Sequence, residues 1–199
     1  MALENTVAVL GCAREIDFTP GVLSEMNRLI DFLESNHVDT LTTGAGGGVP
    51  RMFSRLFMDR GGRALGFSPW KTPEQARAAD QGWVQDSRME MHWIGGGEAG
   101  NFGGRDAATL AGAATVIVLP WGRFGAGSAR EIMAALKKKH IRQIVTLLST
   151  STENDLKART LALYQAACAF SSDVTDKQIR LWYVQLLDHY RLFSDTASQ

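Results

Sequence analysis

The chain has 199 residues, of which 45% are hydrophobic and 21% are charged, and its 21 basic and 21 acidic residues cancel. This length fits one domain with a full hydrophobic core, and the composition excludes a disordered or fibrous protein. Without a net positive charge the chain lacks the overall field that gathers nucleic acid or an anionic membrane surface, so we expect neither as a partner.

Short apolar runs alternate with helical patterns along most of the chain. Six strands are predicted, over 6–10, 38–43, 63–67, 89–94, 114–119 and 143–148. Helices are predicted over 20–33, around 52–56, over 105–112 and over 128–139. Because the strands and helices alternate, the expected fold class is α/β, with a Rossmann-like, doubly wound and mainly parallel sheet flanked by helices.

The remaining segments carry further expectations. The polar segment 68–87 is predicted to be a loop with one short helix, and residues 70–88 are where a lid over a ligand would sit. Residues 151–199 are predicted to form carboxyl-terminal helices with an apolar stripe that includes Trp182 and Tyr183. We expect a single domain over 1–199 with its core at about 6–148. The helical extension then packs on the core or builds a homodimer or larger homo-oligomer.

A glycine-rich loop follows the second predicted strand, where residues 43–50 have the sequence TGAGGGVP. Without side chains, Gly44, Gly46, Gly47 and Gly48 let main-chain N–H groups approach a phosphate closely. Pro50 suits the first turn of the helix that follows, and the amino terminus of that helix attracts anions. We predict a phosphate-binding loop here, and the alternative is a tight structural turn that binds nothing.

A second loop, after the strand at 114–119, places Gly125, Gly127 and Ser128 at the start of a helix. N–H groups and a hydroxyl at such a position can hold phosphate, and Glu131 lies one turn further on, where it can point back at the ligand. Ser128 and Glu131 also match a capping box, so a purely structural role of this pair stays open. Arg123 could be a phosphate contact or merely solvated. Two such loops at the carboxyl ends of parallel strands are what a ligand crevice needs.

Two longer stretches resemble a known family. TGAGGGVPRMFSRLFMDRGGRALGFSP is similar to the strand, glycine loop, helix and next strand of the LOG family, and GGRDAATLAGAATVIVLPWGRFGAGSAREI resembles its arginine-containing helix, buried strand and phosphate loop. The resemblance covers about residues 6–148. LOG proteins are the lysine decarboxylase-like branch of the SLOG superfamily, whose members are Rossmann-like nucleotide-binding proteins.

The resemblance implies a hydrolase that cleaves the N-glycosidic bond of nucleoside 5′-monophosphates and requires no cofactor. In that reading Gly125, Gly127 and Ser128 hold the 5′-phosphate, while Arg105 and Glu131 serve the reaction centre. A carboxylate suits this chemistry, because departure of the base builds positive charge on the ribose.

Two departures from the family pattern keep other functions open. The loop after Pro120 is three residues longer than in the family, and Asp106 stands where the family's Arg is followed by Lys. These departures favour a non-catalytic nucleotide sensor, or a carrier of a phosphorylated cofactor such as the molybdenum cofactor. A third hypothesis is an interaction protein whose carboxyl-terminal helices bind a partner.

Several smaller features complete the expectations. Trp121 and Phe124 could stack on a base, although packing is the favoured reading. Cys12 is expected to be a buried, inert thiol, and two cysteines in all are too few for a disulfide framework, which favours a cytoplasmic setting. The four histidines show no metal-ligand spacing, so we predict no metal site. With no long apolar run or leader-like amino terminus, we expect neither a membrane span nor export.

Overall fold

The computed structural model describes residues 5–14, 16–79, 86–96, 100–119, 121, 131–132, 134–135 and 138–146. Six strands lie in this part of the chain, namely β1 Thr6–Leu10, β2 Thr40–Thr43, β3 Arg63–Ser68, β4 Glu90–Trp93, β5 Thr115–Val118 and β6 Gln143–Thr146. The helices between them are α1 Pro20–Ser35, α2 Gly48–Asp59, α3 Pro73–Ala78 and α4 Phe102–Ala111. All six predicted strands are present within a few residues of their predicted bounds.

The six strands form one sheet in the order β4-β3-β2-β1-β5-β6. Every neighbouring pair is parallel, and β1 lies between β2 and β5, with Val7 opposite both Leu41 and Thr115. The chain therefore builds outward from β1 to β4 and then crosses back to the other side of β1. This reversal is a topological switch point, and the expected doubly wound α/β fold class is confirmed.

Alternate residues of β1 face two separate hydrophobic clusters. Val7 and Val9 pack with α1 and α2 on one face of the sheet. Ala8 and Leu10 pack on the other face, with Leu110 of α4 among their partners. Because both faces are covered, strands such as β5 are apolar or buried at every position rather than alternating with polar residues.

The helix α4 begins earlier than the sequence predicts. The prediction placed its start at Arg105, whereas the structure starts it at Phe102 and makes Asn101 its N-cap. The Asn101 side-chain oxygen accepts a hydrogen bond from the main-chain N–H of Gly104 at 2.9 Å, which satisfies one of the free donors of the first turn. This cap offsets the low helix propensity of the two glycines that follow Phe102 and places Arg105 one residue beyond them, still near the helix start.

Two other segments refine the prediction. The short helix expected within 68–87 is α3, which is capped by the side chain of Thr72. Residues 131–132 and 134–135 are helical, but the predicted end at 139 is too late, because Lys138 lies outside the helix and Lys139 is in a turn. The expected carboxyl-terminal helices lie outside the described residues. Within the described part of the chain, no helix has the length and apolar character needed to cross a membrane.

Asn101→Ala should lower the free energy of unfolding by about 1 kcal/mol, because the variant removes the side-chain cap of α4. Asn101→Asp keeps an acceptor at the cap and should stay close to wild type. Urea denaturation followed by circular dichroism measures both. Equal stabilities of the Ala variant and the wild type would show that Asn101 does not anchor the start of α4.

Candidate functional site

The loops after β1 and β2 are locked together at the carboxyl edge of the sheet. Gly48 has a φ of +64°, and a Cβ there would lie 2.3 Å from the carbonyl oxygen of Arg14 and 2.5 Å from that of Cys12. The N–H of Val49 donates to the same Cys12 carbonyl at 2.9 Å. The Val49 N–H is therefore already bonded, and Gly48 has a structural reason to be glycine.

Gly44, at the start of the same loop, lies against two predicted site residues. A Cβ on Gly44 would come within 3.2 Å of the Arg105 guanidinium carbon and within 3.2 Å of the Glu131 Oε1 atom. Arg105 donates from Nη2 to Glu131 Oε1. Residues from the end of β2, the start of α4 and the helical stretch after β5 therefore meet in one place, beside the switch point.

Asp106 is the second partner of the Arg105 guanidinium. Its Oδ1 atom accepts from Arg105 Nε at 2.8 Å and from Nη2 at 2.5 Å. The side chains of Asp106 and Glu131 are each 11% exposed, and that of Arg105 is 13% exposed. The sequence singled out Asp106 only as a departure from a family pattern, and no local signal indicated that it would hold the arginine.

Three polar atoms of this group make no hydrogen bond to any described residue: Arg105 Nη1, Asp106 Oδ2 and Glu131 Oε2. Arg105 Nη1 supplies two N–H donors, and the two carboxylate oxygens are acceptors. When both carboxylates are ionised, one guanidinium faces two negative charges, so the group as a whole is negative. We refer to Arg105, Asp106 and Glu131 as the Arg–acid triad.

The carboxyl group of Glu131 has an unusual proton affinity. Burial raises its pKa from 4.5 to about 7, and the charge of Asp106 adds to that rise, while Arg105 opposes it. Desolvation dominates because a buried carboxylate loses the water that would otherwise stabilise its charge. Glu131 therefore changes its charge near neutral pH, which is typical of a functional carboxyl group.

The raised pKa of Glu131 predicts a pH-dependent stability. Because the folded protein binds this proton more tightly than the unfolded chain, the stabilisation is full below pH 4.5 and is lost as the pH rises through about 7. The loss should amount to about 2–3 kcal/mol between pH 5 and pH 8. Urea denaturation of wild type and Glu131→Gln over this range measures it, because the glutamine cannot ionise. A constant stability difference between the two proteins would contradict the raised pKa.

Trp121 and Cys12 are both packed in the hydrophobic core, as expected. Trp121 is 8% exposed, belongs to the cluster beneath α1, and donates its indole N–H to Glu25 at 2.8 Å. Cys12 is 2% exposed in the same cluster. A further aromatic contact was not predicted: the centre of the Phe102 ring lies 5.4 Å from the Arg105 guanidinium carbon, at the start of α4.

Several predicted site residues lie outside the described part of the chain. These are Gly125, Gly127 and Ser128 of the predicted phosphate loop, Arg123 as a possible phosphate contact, and Phe124 as a possible stacking residue. Phosphate binding by them and by Gly44, Gly46, Gly47 and Gly48 stays a prediction.

The chain is similar to a known protein family in sequence and to solved structures in fold. The profile of the SLOG cluster4 family matches residues 4–172. The structure of the molybdenum cofactor binding protein from the phototrophic bacterium Rippkaea orientalis is similar, with a TM-score of 0.52 and 21% identity over 81% of this chain and 83% of that chain. The structure of the Moco carrier protein from Chlamydomonas reinhardtii has a TM-score of 0.49 and 18% sequence identity, and the match covers 83% of this chain and 98% of that chain. Among curated proteins, no sequence matches the chain.

Proposed function

Because the chain belongs to the SLOG cluster4 family, we propose that it binds a phosphorylated small molecule at the carboxyl edge of its sheet and carries it without chemical change. The proposed ligand is the molybdenum cofactor, a phosphorylated pterin. Membership of the SLOG superfamily is thus established, while the narrower LOG assignment stays a prediction from the resemblance.

The observation that carries the proposal is the Arg–acid triad beside Gly44. Arg105 is held by two neighbours at the switch point, where ligands of open α/β sheets bind, and its Nη1 atom keeps two donors free of described partners. A largely buried guanidinium whose Nη1 donors have no partner among the described residues is a preorganised binding group, because Asp106 already fixes its orientation. Gly44 lies directly against this group, since a Cβ there would come within 3.2 Å of Arg105 and Glu131.

A carrier fits these contacts better than a hydrolase. A general base takes a proton most readily when its carboxylate is open to water, whereas the Glu131 side chain is only 11% exposed and its Oε1 atom is bonded to Arg105. The choice of the molybdenum cofactor over other phosphorylated ligands draws on the Rippkaea orientalis protein, whose fold this chain shares.

One observation favours a nucleoside 5′-monophosphate hydrolase as a second candidate. The pKa of about 7 for Glu131 would suit a group that exchanges protons at neutral pH, and its Oε2 atom, which has no hydrogen bond to a described residue, could orient water. The two candidates share the ligand-binding crevice and differ only in whether a bond of the ligand is broken.

Arg105→Lys should weaken binding of the molybdenum cofactor by about 10- to 100-fold, since lysine keeps the charge between Asp106 and Glu131 but lacks the free N–H pair. Anaerobic titration calorimetry with cofactor released from a purified molybdenum enzyme measures this effect. Arg60→Lys is a matched control, because Arg60 also lies between two carboxylates, Asp31 and Glu34, but at the end of α2, away from the crevice. Equal affinities for both variants would contradict the proposed site.

A carrier should release no base from nucleoside 5′-monophosphates. Purified protein is incubated with AMP, GMP, CMP and UMP, and free base and ribose 5-phosphate are measured by chromatography. Base release that disappears in Glu131→Gln would replace the carrier by the hydrolase candidate.

A further inference from the structure

We propose that the Arg–acid triad recognises the amino-oxo edge of a pterin or guanine ring, and that the phosphate of the ligand binds elsewhere. This inference rests on the proposed function, because it assigns the part of the ligand that the triad contacts. A 2-amino-4-oxopyrimidine edge presents one carbonyl acceptor, one ring N–H donor and one amino donor. Pterins and guanine share this edge.

The charges of the triad argue against a phosphate at this position. At pH 8, where Glu131 is ionised, two carboxylates face a single guanidinium, so an added phosphate would meet net negative charge within a largely buried site. In the LOG family pattern described above, Lys follows the Arg, so both side chains would be positive. The Asp at position 106 reverses the second charge and makes a neutral polar ring the better ligand group here.

The hydrogen-bonding capacity of the triad complements that ring edge. Arg105 Nη1 offers donors for a carbonyl oxygen, while Asp106 Oδ2 and Glu131 Oε2 offer acceptors for a ring N–H and an amino group. These atoms have no other partner among the described residues, and the three side chains are joined through Arg105 Nη2, so they lie close together. Hydrogen bonds from N–H groups to carboxylates are charge-assisted and discriminate strongly against a ring that lacks the donor.

The side chains of the triad are held in place by their neighbours, so the triad can select a ligand group by its shape as well as by its charge. Phe102 packs against the Arg105 guanidinium and Trp70 packs edge-on against Phe102, with their ring centres 6.1 Å apart. Gly44 also lies against the triad, and a Cβ at this position would come within 3.2 Å of Arg105 and Glu131. These contacts hold the Arg105 guanidinium in place, so its donors are positioned before a ligand ring binds.

The test uses three nucleotides with the same ribose and phosphate. GMP carries the full amino-oxo edge, IMP lacks the 2-amino group, and AMP presents neither the carbonyl nor the ring N–H. Titration calorimetry with wild type at pH 8, where Glu131 is ionised, should give about 10- to 100-fold tighter binding of GMP than of IMP, and weaker binding still of AMP. The phosphate contribution cancels in these ratios.

The variants Asp106→Asn and Glu131→Gln assign the preference to the triad. The variant of the carboxylate that accepts from the 2-amino group should bring the GMP-to-IMP affinity ratio towards about threefold or less, because an amide is a weaker acceptor without charge. The variant of the carboxylate that accepts from the ring N–H, which GMP and IMP share, should lower the IMP-to-AMP ratio instead. Asp59→Asn is the matched control, since Asp59 also pairs with an arginine, Arg88, but on the exposed end of α2. Its two ratios should equal those of wild type. Each ratio is internal to one protein, so a loss of stability in a variant does not affect the comparison.

The outcomes separate this inference from the proposed function. Equal binding of GMP, IMP and AMP by wild type, or a GMP preference that survives in both triad variants, overturns the inference and leaves the carrier in place. Failure of wild type to bind the released molybdenum cofactor or any nucleotide overturns the proposed function and this inference with it. When the amino-oxo preference is found, tighter binding of the cofactor than of GMP identifies the ring as a pterin, and the reverse order identifies a guanine nucleotide.

Discussion

The position of β1 between β2 and β5 is the constraint on which the rest of the molecule depends. Its residues are buried on both faces, with Val7 and Val9 towards α1 and α2, and Ala8 and Leu10 towards α4. Parallel neighbours on each side require crossover helices on each face, and the chain must reverse its direction of growth at β1. The crevice that this reversal opens at the carboxyl edge is where the candidate site lies.

The site is organised by one buried cation. A guanidinium that is 13% exposed needs negative partners, because an unpaired charge in such a place is strongly destabilising. Asp106 supplies the partner within α4, and Glu131 supplies one from a different element. Burial raises the pKa of Glu131, and the charge of Asp106 adds to that rise. The two carboxylates and the guanidinium together give the triad its mixed set of donors and acceptors.

The sequence was a good guide where a feature depends on neighbouring residues. β1 matches its predicted bounds of 6–10, and β5 lies within the predicted 114–119, because fully apolar runs between glycine-rich loops are typical of buried parallel strands. The start of α4 was missed, although its signal was local. Gly103 and Gly104 lower the helix propensity of that stretch, and the Asn101 cap that marks the helix start lies before them.

The sequence by itself determined the alternation of strands and helices, and hence the parallel sheet, and it identified Gly44, Arg105 and Glu131 as candidates through their motifs. Only the tertiary structure decided that these three meet, and that Asp106 completes the group. Periodicity and loop composition reflect local preferences, whereas the contact between Arg105 and Glu131, 26 residues apart, depends on how two helices pack on one sheet. The order of the strands around β1 brings them together, and no single segment of the sequence encodes that order.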